Sequence, residues 1–333
     1  MNEKKRSIKF TFNKALFLIW LIIFIAIGLR SPSFFSAPYI INVMLRNIVE
    51  IGMVALPMTL IIITGGIDLS VGNILVLAAT LGGMAYTKGG TGLAVMVTLA
   101  TGIVCGFING VIIAKAKISP MVTTLATMYL YLGIARGISA GDSIYSYGFA
   151  DFMGTISIAG LPLQIWLYIV LAILFVLLLG ASITGRKLYG IGLNANATKY
   201  AGVNIDKITI GIYVLCGLIC AIAAFIWLGR FTSIKYDAGV AFNLKVITIV
   251  VLGGTSIIGG VGDMRGTIIG TLIIATLNSG LTVMNIPIDV QTIVQGVVLI
   301  IALLACSVVQ ARAKQRKVIK VSEDTVANDM ELS

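Results

Sequence analysis

Histidine is missing from all 333 residues. That absence excludes Ser-His-Asp hydrolysis, imidazole relays and histidine-held metal centres. No Gly-Lys dipeptide occurs either, so the chain has no Walker A loop with which to cradle nucleotide phosphates. Charge is scarce: 11% of the residues are Asp, Glu, Lys or Arg, against about 25% in a soluble domain. The four cysteines, Cys105, Cys216, Cys220 and Cys306, all fall inside apolar runs. Cys216 and Cys220 share a helix face, but thiols without nearby histidine or carboxylate read as small packing residues, and no disulfide framework is implied. The sequence therefore predicts no catalytic residue, no metal site and no resident cofactor.

What is abundant is hydrocarbon. Hydrophobic residues make up 58% of the chain and the mean hydropathy is +1.04, more apolar surface than one water-soluble core can hide. The apolar segments are long runs rather than ten-residue alternations, which favours helices over a barrel. The fold class expected is an all-α integral membrane protein with about ten transmembrane helices. Residues 1–14 form a basic tail, 15–310 the membrane domain, and 311–333 a polar C-terminal tail without core residues.

The formal charge of +11 is unevenly placed. Lys4, Lys5, Arg6, Lys9 and Lys14 precede the first span, and Arg312, Lys314, Arg316, Lys317 and Lys320 follow the last. Under the positive-inside rule both termini are cytoplasmic, which demands an even number of crossings. These clusters flank apolar helices and lack interleaved aromatics, so they read as membrane anchors and not as a nucleic-acid surface. The run 15–29 resembles a signal peptide, but Arg30-Ser31-Pro32-Ser33 follows it without a small-x-small cleavage pattern, so it reads as a retained first helix.

Further spans are expected over about 48–63, 71–86, 93–113, 120–141, 162–182, 208–228, 246–258, 266–284 and 290–309. Residues 31–47 read as an external link, 88–92 as a turn, and 184–207 as the longest internal gap, with Arg186, Lys187, Lys199 and Lys207 against Asp206. Gly102, Gly106 and Gly110 recur at intervals of four on one helix, the pattern by which helices approach closely in lipid.

The stretch around which the chain is organised is Thr64-Gly65-Gly66-Ile67-Asp68-Leu69-Ser70-Val71-Gly72. A carboxylate at a helix centre costs roughly 2.5–3.5 kcal/mol on insertion scales. A water-filled path, a partner group or the open end of a broken helix must offset that cost, and paired glycines make a break feasible. Gly65, Gly66, Asp68 and Ser70 are thus candidates to line a pathway, with helix capping by Asp68 as the plainer alternative. A second break echoes the first: Gly65-Gly66 is followed six residues later by Gly72, and Gly253-Gly254 likewise by Gly260. Interrupted glycine-rich helices in both halves of a chain point to a site at a repeat interface, with chance recurrence among the 37 glycines as the alternative.

Four blocks carry a family resemblance. The 64–72 stretch resembles the signature of sugar-type ABC importer permeases, the ribose, xylose and galactose class. Lys117-Ile118-Ser119-Pro120-Met121-Val122-Thr123-Thr124-Leu125 is similar to that family's next segment, and Gly185-Arg186-Lys187-Leu188-Tyr189-Gly190 with Tyr200-Ala201-Gly202-Val203 to its cytoplasmic loop. Val251-Leu252-Gly253-Gly254-Thr255-Ser256 resembles its last block. The resemblance implies a permease in the bacterial cytoplasmic (inner) membrane, paired with a second permease as homo- or heterodimer. A cytoplasmic ABC ATPase subunit would use the ATP, and an extracytoplasmic sugar-binding protein would hand over the solute. It makes 194–203 the ATPase coupling segment, with Gly190, Asn194, Ala197, Ala201 and Gly202 as its key positions; an ordinary surface loop is the alternative. Ala195, Ala197 and Ala201 favour a short helix there, with Gly202 as its cap. The link before the eighth span lacks an acid after Asp237, a departure that shifts the resemblance toward the autoinducer-2 and rhamnose branches. An ion-coupled secondary sugar carrier is the competing function, although only Asp68 is read as a carboxylate within a span.

Overall fold

The computed structural model describes residues 2–149, 153, 155–239, 241–302 and 304, with residues 2–11 as backbone only. Helix α1, Asn2–Arg30, is followed by α2, Ala37–Ile63. Next come α3, Val71–Lys115, and α4, Pro120–Ile138. Helix α5 spans Leu163–Ala181, α6 Ile183–Leu193 and α7 Ala195–Tyr200. Helices α8, Ile205–Phe231, α9, Phe242–Leu252, and α10, Met264–Val283, follow, with α11 at Ile288–Ala302. Among the described residues seven helices are long and apolar enough to cross a membrane, and α9 and α11 are shorter apolar helices.

Helix α3 has 45 residues, about 68 Å if straight, twice the roughly 30 Å of a bilayer core. It breaks at Gly89 (φ −147°) and Gly90 (φ +71°), where the sequence predicted a turn. The two arms fold back on each other, since a Cβ on Gly82 would strike the Thr98 hydroxyl. Helix α9, in contrast, has 11 residues, about 16 Å, and cannot cross alone.

Helix α2 is the centre of the bundle. Its main stretch, Val49–Ile63, is almost wholly buried and, apart from Glu50 and Thr59, carries nonpolar side chains all round, the behaviour of a helix surrounded by other helices. Its entry departs from expectation: the 31–47 link is largely helical, with a π-helical turn over Ile40–Leu45 and a tight turn over Arg46–Ile48 that run into the main helix. Burial of Met44 and Ile48 holds this stretch against the bundle, and Tyr39 Oη donates to the Ser279 carbonyl at 2.7 Å. The aromatic contacts Phe24–Phe34 and Phe34–Tyr39 pin it to α1. Pro57 is accommodated within the helix.

The stripe Gly102, Gly106 and Gly110 lies against α8: a Cβ at any of the three would run into backbone at Gly217, Tyr213 or Ile210. Cys105, Cys216 and Cys220 are free and buried, as packing residues are. Two short ladders cap one end of the bundle. Strand β1, Ile144–Tyr145, pairs antiparallel with β4, Ser233–Ile234, and β2, Ser157–Ile158, with β3, Leu161–Pro162. The α6–α7 segment lies at the other end, as does the Lys117–Asp206 ion pair at 2.6 Å. Cys306, the end of the expected tenth span and the 311–333 tail lie outside the described residues.

Candidate functional site

Both glycine breaks are helix C-termini built the same way. At the end of α2, Gly65 N–H donates to the Ile62 carbonyl (2.9 Å) and Gly66 N–H to the Ile61 carbonyl (3.1 Å), with Gly65 at φ +84°. At the end of α9, Gly254 N–H donates to Val251 (2.8 Å) and Thr255 N–H to Val250 (3.3 Å), with Gly254 at φ +87°. This is the left-handed cap that glycine allows without a Cβ penalty. The structural equivalents are therefore Gly65 and Gly254, one residue out of step with the spacing seen in sequence. Each cap is followed by an aspartate that accepts a hydrogen bond from the backbone two residues on: Asp68 from Ser70, Asp263 from Arg265. Gly253 owes its identity to contact, since a Cβ there would meet the Gly266–Thr267 backbone of α10.

Asp68 is fully buried. Its Oδ1 accepts from Ser70 N–H at 2.8 Å and Ser70 Oγ at 2.6 Å. Asn109 Nδ2 donates to Ser70 Oγ at 2.8 Å, and Tyr131 Oη donates to Asn109 Oδ1 at 3.2 Å and to the Cys105 carbonyl at 3.0 Å. Thr124 Oγ1 takes the Leu69 N–H at 3.1 Å. The turn is thus tied into α3 and α4 by side chains, and the carboxylate sits beside the N-terminus of α3, where the helix dipole favours negative charge. Thr124 belongs to the 117–125 block that carried the resemblance, whereas Asn109 and Tyr131 went unremarked in the sequence, where single polar residues in apolar runs carry no periodic signal.

The α6–α7 segment is well capped. Ser182 Oγ accepts from Gly185 N–H, Asn194 Oδ1 from Ala197 N–H at 2.9 Å, and Asn204 Oδ1 from Lys207 N–H. Helix α7 ends as the alanine-rich pattern predicted: Ala201 is its C-cap, and Gly202, at φ +82°, donates to the Lys199 carbonyl at 3.0 Å. Gly190 leaves room for Thr198, whose Oγ1 would lie 3.1 Å from a Cβ there. Leu193 and Tyr200 stand out from the surface, Tyr200 91% exposed.

These three features converge. Gly260 N–H, in the loop after α9, donates to the Ile63 carbonyl at 2.8 Å, at the end of α2. A Cβ on Gly192 of α6 would run into that carbonyl oxygen and the Gly260 amide. Tyr189 Oη donates to the Gly262 carbonyl at 2.8 Å. The end of α2 just before Gly65, the loop that follows the Gly253-Gly254 break, and the end of α6 just before the 194–203 segment, all distant in sequence, therefore meet at one backbone junction.

One buried carboxylate escaped the sequence reading. Glu50, in α2, pairs with Arg230 at the end of α8, and both side chains are buried. Asp68 is thus not the one acid inside the helical bundle.

Comparison with known proteins bears on what this architecture does. Residues 39–303 match the family described as branched-chain amino acid transport system / permease component. The chain belongs to that family. Its relatives include the ribose import permease protein RbsC of Haemophilus influenzae, 35% identical over 89% of this chain and 94% of that protein. RbsC of Bacillus subtilis is 38% identical over 86% and 90%. The autoinducer 2 import system permease protein LsrD of Escherichia coli is 32% identical over 90% and 93%. No solved structure matches the chain at the same stringency. Membership makes the chain a multi-pass membrane protein of the importer permease type, consistent with its helices.

Proposed function

We propose that this chain is the membrane-spanning subunit of an ATP-driven importer that moves a sugar or sugar-like solute across the bacterial cytoplasmic membrane. The observation that carries the reading is full-length similarity to ribose and autoinducer 2 import permeases, combined with the capped α6–α7 segment. The solute is then a ribose-type monosaccharide, a deoxyhexose or the autoinducer itself. The same relatives weigh against an ion-coupled carrier working alone.

In this reading the α6–α7 end faces the cytoplasm, where both termini also lie, and an ATPase subunit docks on α7. A second permease copy or a related subunit completes the pathway, and an extracytoplasmic binding protein delivers the solute. Nucleotide-driven closure of the ATPase pair tilts the helices as rigid bodies. Gly65, Gly66, Gly253 and Gly254 mark the hinges beside the pathway. Asp68 and Ser70, both buried, act by fixing the entry of α3 rather than by touching solute.

Reconstitution tests it. Proteoliposomes holding this chain, its ATPase and its binding protein take up the labelled solute only with ATP in the ATPase compartment. Uptake by this chain alone under a proton or sodium gradient would overturn the proposal.

A further inference from the structure

The junction at Gly192, Gly260 and Ile63 joins three elements that no side-chain pattern links. From α6, Gly192 presses its bare α-carbon against the Ile63 carbonyl and the Gly260 amide. From the loop after α9, Gly260 hydrogen-bonds the same Ile63 carbonyl, and a Cβ on Gly259 would sit 2.9 Å from Gly65 N. The Tyr189 hydroxyl holds the far side of that loop through the Gly262 carbonyl. Gly259 and Gly260, at φ +93° and +72°, give the loop a shape that other residues reach only with strain.

Backbone packed on backbone, with no flexible side chain between, transmits displacement with little loss, because close-packed interiors deform little. A side-chain contact of the same reach would absorb motion by changing rotamer. Resting on the importer reading above, we infer that this junction is the joint through which movement of α6–α7 reaches both glycine caps at once. Gly192 and Tyr189 are its positioning residues. Displacing α6 pushes the end of α2 at Ile63 directly, and the end of α9 through the Gly260–Gly262 loop. Two breaks from opposite halves of the chain are thereby driven by one lever. The aligned caps at Gly65 and Gly254 become a coupled pair of hinges.

The test measures solute moved per ATP hydrolysed in proteoliposomes of the complete complex. Tyr189→Phe removes one hydrogen bond and keeps the ring; the expected result is about a threefold fall in that ratio with ATP hydrolysis near wild type. Gly192→Ala, which collides with backbone, lowers the ratio at least tenfold. Gly211→Ala, on α8 with open space around it, leaves the ratio unchanged. If Gly192→Ala does not assemble, Tyr189→Phe decides. Unchanged ratios in Tyr189→Phe, or a proportional loss of hydrolysis and uptake, overturn the inference. Wild-type complex that shows no ATP-dependent uptake instead overturns the importer reading, so the two failures are distinguishable.

Discussion

Arg230 Nη1 lies 2.7 Å from Glu50 Oε1 and 2.9 Å from Oε2, and also donates to the Arg46 carbonyl at 2.8 Å. The Arg230 fork reaches Asn47 Oδ1 through its second nitrogen. This buried cluster clamps the last turn of α8 onto the irregular entry of α2, at the end of the bundle opposite the glycine junction. Removing one member leaves the other charge buried and unpaired, which typically costs about 3–5 kcal/mol. Glu50→Ala and Arg230→Ala are each expected to lower stability by that order. The paired replacement Glu50→Leu with Arg230→Met recovers most of the loss. Denaturant unfolding of the protein in detergent micelles measures it, with the Glu50→Ala/Arg230→Ala double variant closing a double-mutant cycle; additive losses in that cycle would show that the pair contributes nothing as a pair.

Asp68 makes a narrower prediction. Its Oδ1 satisfies both Ser70 N–H and Ser70 Oγ in a buried turn, and an unsatisfied buried donor costs about 1–3 kcal/mol. Asp68→Ala is expected to destabilise the protein by that amount and to impair uptake, while the isolated binding protein captures solute as before. Asp68→Asn keeps an acceptor oxygen and retains more than half of wild-type uptake. Full uptake by Asp68→Ala would remove the residue from the mechanism.

The glycine stripe on α3 gives a prediction about association of helices. A Cβ at Gly106 would meet the Tyr213 carbonyl and the Val214 backbone, so even alanine forces α3 and α8 apart. Overpacking of this kind costs about 1–3 kcal/mol. Gly106→Ala is expected to lower stability by at least that much and Gly106→Leu to prevent stable insertion. Gly92→Ala, with no atom near its Cβ position, is neutral. Thermal unfolding of the purified variants, followed by loss of helical circular dichroism, separates these cases.

Hydropathy and loop charge made most of the helix pattern legible, and the reason is visible in particular residues. The break at Gly89-Gly90, the start at Pro120, the glycine face on α3 and the cap at Gly202 are local signals, written within a few residues of the structure they cause. The entry of α2 was misread because Pro32 and Pro38, with three nearby serines, suggest a loop. Buried Phe34 and Met44 instead fold it onto α1 and α10. The one-residue offset between the glycine repeats could not be seen, since Gly65-Gly66 and Gly253-Gly254 look alike until positive φ distinguishes the capping member. Glu50 and Arg230 lie 180 residues apart, Ser70 and Asn109 39 apart, and no period in the chain connects either pair.

The last prediction separates docking from folding on α7. The helix has six residues, too few to persist by propensity alone, and it depends on its caps. Asn194→Ala deletes the bond to Ala197 N–H, a loss of about 0.5–2 kcal/mol for a helix cap. Concentrated in so short a helix, that loss is expected to lower ATP-coupled uptake severalfold, with the membrane helices intact by circular dichroism. Tyr200 makes the complementary case: its side chain touches solvent over nearly its whole surface, so Tyr200→Ala removes no internal contact. It is expected to leave unfolding unchanged while weakening capture of the ATPase subunit at least tenfold in a pull-down titration. Asn194→Ala acts through the shape of α7 and Tyr200→Ala through its surface, so the two losses should combine in the double variant. Wild-type affinity for the ATPase in Tyr200→Ala would place the docking surface elsewhere on the chain.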